Sequence, residues 1–130
     1  MIFVDTNVFM YAVGREHPLR ERARRFFLQL VEREETSVTS AEVMQELVHA
    51  YLPVLRLDTL DAALLLVEST VAEIWPIEAE DVRAARSLVH EYPGLDARDL
   101  VHLACCRRRN VGSIQTFDRG LAAAFQRQRK

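Results

Sequence analysis

Short apolar runs alternate with longer stretches of helical periodicity along this chain, and no tight-turn chemistry joins one run to the next. The runs are Ile2–Val4 and residues 37–39, 71–75 and 113–116. Helical spacing of apolar residues is predicted over residues 18–33, 43–52, 58–69, 79–92, 97–109 and 121–128. Strands that must be reached through helices cannot form hairpins, so they align in parallel, and a parallel sheet needs helices on its faces. Sites in such sheets form outside the carboxyl ends of the strands.

At 130 residues with 49% hydrophobic side chains, the chain suits one domain, residues 1–130, with a real core. No apolar stretch approaches the ~20 residues of a membrane span, and Met1 to Asp5 runs into an acid rather than a basic leader, so a cytoplasmic protein with no membrane contact is expected. Cys105 and Cys106 are adjacent, which disfavours a disulfide between them and offers no zinc spacing; reduced thiols, at least one of them buried, are expected. The formal charge of −2 conceals a division: residues 97–130 carry 8 basic and 2 acidic side chains, the rest 9 basic and 17 acidic. A cationic segment beside acidic surroundings suits a polyanion partner held at one place and repelled elsewhere, although Arg-rich helix ends are also ordinary solvated surface. The one lysine is Lys130. Covalent phosphatases and P-loop enzymes, which place a lysine at the phosphate, are therefore disfavoured.

The acids are arranged to meet. Asp5 follows the first strand and Asp118 the fourth, so a parallel sheet puts both at one edge of the molecule. Glu42 and Glu46 lie one turn apart at the start of one helix, Asp96 and Asp99 likewise at the start of another. Each also has a plain structural explanation. Thr39-x-x-Glu42 fits a capping box, Asp96-x-x-Asp99 a cap with an acid at its third position, and Asp5 and Asp118 are good turn formers. Four converging carboxylates, however, would repel unless a cation neutralised them or some took up protons. Hard oxygen ligands suit Mg²⁺ or Mn²⁺, which can activate a water and stabilise charge on a scissile phosphate. That is phosphodiester hydrolysis with no protein nucleophile.

Four blocks carry a resemblance: Ile-Phe-Val-Asp-Thr-Asn-Val at 2–8, Thr-Ser-Ala-Glu-Val-Met-Gln-Glu-Leu at 39–47, Leu-Asp-Ala-Arg-Asp-Leu-Val-His-Leu-Ala at 95–104 and Gln-Thr-Phe-Asp-Arg at 115–119. Together they resemble the successive signatures of PIN domains, especially the VapC-type toxins of toxin–antitoxin pairs. The resemblance spans nearly the whole chain and is carried by the order of the blocks rather than by any one of them. It implies a three-layer α/β/α sandwich around a central parallel sheet of four or five strands, and a Mg²⁺- or Mn²⁺-dependent endoribonuclease. It further implies a homodimer, with an RNA substrate and a neutralising antitoxin protein as partners.

By the same resemblance Asp5, Glu46, Asp99 and Asp118 are the catalytic and metal-binding acids. Glu46 is preferred to Glu42 because it precedes Leu47, and Asp99 to Asp96 because of the Leu-Val-His-Leu-Ala that follows it. Thr6, Asn7 and Thr116 support the first and fourth acids, and Asp96 assists through water. One departure is that residues 126–130 are too polar for the buried last strand that family members often add. Outside those positions, Arg107, Arg108, Arg109 and Arg119 are candidates to grip phosphates, or a cationic helix end. His102, one turn from Asp99, can reach the same site or serve in packing. Phe26, Phe27, Tyr51 and Trp75 fall within apolar periodic faces and are expected in the core.

Overall fold

The computed structural model describes residues 1–128; Arg129 and Lys130, the end of the polar tail judged unfit for a buried strand, lie outside the described residues. Strand β1 (Ile2–Val4) leads at once into helix α1 (Thr6–Val13), followed by α2 (Pro18–Glu32), β2 (Ser37–Ser40), α3 (Ala41–Tyr51) and α4 (Leu57–Thr70). Then come β3 (Glu73–Trp75), α5 (Ala79–Ser87), α6 (Ala97–Arg108), β4 (Ile114–Gln115) and α7 (Arg119–Gln128). The strands form one four-stranded sheet in the order β3-β2-β1-β4, parallel throughout. The expected layered α/β sandwich is thus present, with four strands among the described residues.

Register follows from the apolar residues. Phe3 pairs with Val38 on one side and Ile114 on the other, and Phe3, Val4 and Val38 are fully buried, so β1 is the central strand of the core. Helices α1 to α4 pack on one another, as do α5 with α6 and α6 with α7. Chain order reverses at β1, with β2 to one side and β4 to the other. The ends of β1 and β4 therefore open a crevice where ligands bind in such sheets.

Three expectations are corrected. The segment after Asp5, where the sequence predicts no helix, is α1, an eight-residue helix that starts directly at Thr6. Asp5 caps it, Val8, Phe9 and Ala12 bury its inner face, and the run is too short for its periodicity to stand out. It stops at Gly14, where a Cβ would lie 2.8 Å from the Met10 carbonyl oxygen, so no side chain fits as the chain turns toward α2.

The helix read over 79–92 ends at Ser87, and Val82, expected on its inner face, is 52% exposed. The inward face is set by Asp81, Ala85 and Leu88. A buried carboxylate, paired with Arg108 at the end of α6 and Arg109 just beyond it, has taken the place that an apolar pattern would assign to its neighbour. The capping box of α3 is also displaced: Ser40 caps it by accepting from the Val43 amide, whereas the Thr39 hydroxyl donates to the Val4 carbonyl across the sheet, 2.8 Å away. Phe26, Tyr51 and Trp75 are buried and Phe27 packs against the core. Both cysteines are free and buried. No helix among the described residues is long and apolar enough to cross a membrane.

Candidate metal centre

Asp5 is the first residue beyond β1, so the sheet itself fixes where its side chain begins. One of its oxygens accepts from the Thr6 amide at 2.8 Å, the other from the Thr116 hydroxyl at 2.7 Å. That hydroxyl is a junction: it also accepts from the Asn7 side-chain amide at 3.2 Å and from the Asp118 amide at 3.0 Å. Asn7 Oδ1 in turn accepts from the Phe117 amide. The start of α1 and the turn after β4 are thereby tied together, and each carboxylate oxygen of Asp5 keeps a further lone pair for a ligand.

Glu46 reaches the same point from α3. Its Oε2 accepts from the Thr6 hydroxyl, and its Oε1 accepts from His102 Nε2 at 2.9 Å. His102 is 1% exposed, packs its ring 5.5 Å from that of Phe3, and lies 3.6 Å from Asp5 Oδ1. It is the residue whose part the sequence left open between site and packing, and it does both. With Nε2 against Glu46, the imidazole clamps that carboxylate in place.

Asp99 stands one turn before His102 and Asp118 just past β4. Asp5, Glu46, Asp99 and Asp118 all line one cleft of about 340 Å³, with Thr6, Asn7 and Asp96 also on its wall. Asp96 caps α6 by accepting from the Asp99 amide at 2.9 Å, and Asp118 caps α7 by accepting from the Leu121 amide at 3.0 Å. Structural and chemical readings of these acids are therefore compatible: three of the four carboxylates sit at or near helix N-termini, where a negative charge is favoured. Glu42 does not line the cleft. Arg107 and Arg108 do not either: Arg107 pairs with Glu91 and Arg108 with Asp81. Their reach as phosphate grips is spent on acids of and beyond α5, because the C-terminal end of α6 points away from the cleft. Arg119 is exposed at the start of α7.

The electrostatics suit a bound cation. Burial pushes the Asp5 carboxyl above its usual range despite His102, Thr116 and Thr6, which act in the other direction. Burial, then the charges of Asp96, Asp118 and Asp5, push Asp99 up to about 6. Glu46 lies below its usual value: burial raises it, but the hydrogen bond and charge of His102 outweigh that. His102 is held above its usual value by Glu46 and Asp5 against the opposing effect of burial. An oxygen-rich cleft whose acids repel one another suits Mg²⁺ or Mn²⁺. Asp5 and Glu46 already bring oxygens, with His102 Nε2, within 4.8 Å of one another. A thiol nucleophile is disfavoured, since burial drives Cys105 up to about 12.

Thr116→Val should weaken Mn²⁺ binding by about 10- to 100-fold, because removal of the hydroxyl frees Asp5 and strands the Asn7 and Asp118 donors. Titration followed by electron paramagnetic resonance reads this directly; wild-type affinity would show that Asp5 needs no such support.

Residues 2–125 match the model of the PIN domain family, and the chain belongs to that family, in its VapC branch. It is 63% identical to Ribonuclease VapC23 of Mycobacterium tuberculosis, over 97% of this chain and 99% of that protein. Ribonuclease VapC13 of the same organism is 38% identical, over 92% of each. Among solved structures, the fold is similar to that of Mycobacterium tuberculosis VapC20, a toxin that cleaves the sarcin–ricin loop (TM-score 0.81, 20% identity, 95% of each chain). It is also similar to VapBC2 of Rickettsia felis bound to a promoter DNA fragment (TM-score 0.67, 20% identity, 91% of this chain and 88% of that one).

Proposed function

We propose that the protein is a Mg²⁺- or Mn²⁺-dependent endoribonuclease, the toxin of a toxin–antitoxin pair. The observation that carries this reading is the meeting of Asp5, Glu46, Asp99 and Asp118 in one cleft, in a chain that shares most of its residues with a protein named as a ribonuclease.

In this reading Asp5, Glu46, Asp99 and Asp118 would hold the metal. The ion supplies an activated water and charge stabilisation at the scissile phosphate. The chain's own groups do the rest. Thr6 and Thr116 fix both oxygens of Asp5, and Asn7 fixes Thr116. His102 keeps Glu46 ionised and aimed into the cleft. Such preorganisation is worth more in a half-buried cleft than in water, because nothing must reorient as charge develops.

A protein partner is part of the proposal. Between α1, α2 and α4 runs a groove of about 650 Å³ walled by Phe27, Leu28, Val31, Leu65 and Leu66, and Leu28, Val31 and Leu65 are each more than 60% exposed. Such a contiguous apolar face suits a partner that covers it. The expected homodimer belongs to the same proposal.

Purified protein incubated with structured and unstructured RNAs should cut in Mg²⁺ or Mn²⁺ and not in EDTA. Asp5→Asn should lower the rate by about 10³-fold, near 4 kcal/mol of lost transition-state stabilisation. Tight binding of RNA that the wild type leaves whole would make the protein a binding module instead.

A further inference from the structure

The wall of the carboxylate cleft continues beyond it. Asn7 and Met10 also line a second concavity, of about 580 Å³, which runs along α1 past Tyr11 to Gly14 and is closed by Tyr51 and Arg56. Positions 7, 10, 11 and 14 share one helix face, so the two hollows form a single trough along a wall about 10 Å long. Its two ends differ in character. The first is acidic; the second carries Arg15 and Arg56 against one carboxylate, Glu16.

Rings are presented there as well. Tyr11 and His17 lie 4.7 Å apart, tilted by 36°, and His17 is exposed. The Arg56 guanidinium sits 5.6 Å over the Tyr51 ring. His17 Nδ1 accepts from the Leu19 amide at 3.0 Å and so caps α2, which leaves the proton on Nε2. Guanidinium groups beside an exposed imidazole and a half-buried phenol ring, on a wall continuous with the carboxylate cleft, suit single-stranded nucleic acid, whose phosphates take the cations and whose bases stack on the rings. An acidic cleft repels RNA, Arg98 on its wall lies 3.8 Å from Asp96, and Arg107, Arg108 and Arg109 are committed to Glu91, Asp81 and Glu78, so cations beside the cleft are needed for attraction.

We propose that this concavity is a subsite for the nucleotide next to the cut. Its base extends the Tyr11–His17 stack, and its phosphate lies against Arg15 and Arg56. The proposal rests on the nuclease reading for its substrate class.

The test uses Arg15→Glu and His17→Asn, both at exposed positions, the second keeping an acceptor for the Leu19 amide. Against a short single-stranded RNA each should raise KM about tenfold, the effect of one lost stacking or phosphate contact, with kcat within about twofold of wild type. Trimming the RNA one nucleotide at a time toward the cut should, on one side only, bring wild type and variants to the same KM. Unchanged KM in both variants, or a difference that survives every trimming, overturns the subsite while leaving the nuclease reading standing. If the wild type cuts no RNA, that reading falls, and the anisotropy of a fluorescein-labelled single-stranded RNA in Ca²⁺ decides: about tenfold weaker binding by the variants supports the subsite. Wild-type affinity overturns it, and does so in favour of a protein partner if the variants bind a cognate antitoxin less well.

Discussion

Asp99→Asn is expected to be both inactive and more stable. Cleavage should fall by about 10³-fold or more, since a metal ligand is lost from the cleft. In the metal-free protein Tm should rise by about 4 °C. Asp99 carries a carboxyl pushed up to about 6 by burial and by Asp96, Asp118 and Asp5, against an ordinary value of 3.8. The native state therefore holds a proton that the unfolded chain has released, and metal-free stability declines as pH rises from about 4 through 6. Asparagine removes the charge and with it this decline. The group is half-buried, so after allowance for solvent screening the gain is on the order of 1 kcal/mol, about 4 °C for a chain of this length. Thermal melts in EDTA at pH 4.5 and 7.5 check it: wild type and variant should converge at the lower pH and separate at the higher. The opposite signs for activity and stability mark a site held under repulsion for the sake of its ligand.

Asp81→Ala should do the reverse, keeping activity and losing stability. Asp81 is fully buried in α5 and accepts from Arg109 Nη1 at 2.9 Å and Nη2 at 3.2 Å, from Arg108, and from the Glu78 amide at 2.8 Å. Burial alone would raise its carboxyl, but these donors hold it down to about 2. Removing one side of a buried ion pair leaves the other uncompensated and costs about 3 kcal/mol, near 10 °C in Tm. A depressed value also sets the pH dependence: the stabilisation is present above about pH 4 and lost as pH falls toward 2. Acid titration of the wild type should show that loss and Asp81→Ala should lack it. Cleavage below the lowered Tm should stay near wild type, because Asp81 does not line the cleft.

These two residues also show what the sequence makes legible. The sequence points to Asp99 because the block that follows it resembles the family's, and the cleft holds it with the other acids because helix starts around a parallel sheet face the carboxyl ends of its strands. Asp81 was missed because the periodicity of residues 79–92 counts apolar side chains, and the residue that faces inward there is charged. Its partners, Arg108 and Arg109, stand at and just past the end of α6, so no local spacing announces the pair, and the sequence alone offers the same arginines as phosphate grips. Helix α1 escaped for a different reason. Eight residues give barely two turns of pattern, and Asp5-Thr6-Asn7 has the composition of a turn although Asp5 is in fact a cap. His102 shows the limit at the site itself: its distance from Asp99 along the chain placed it nearby, but only the packing of α6 against α3 reveals that it grips Glu46.

Diffraction from crystals soaked in Mn²⁺, with anomalous scattering recorded at the manganese edge, tests the central claim most directly. A peak is expected in the cleft, among the carboxylate oxygens of Asp5, Glu46, Asp99 and Asp118, and lost in Asp5→Asn. A protein that cuts RNA while its manganese lies elsewhere, or that keeps the same peak in Asp5→Asn, would contradict it.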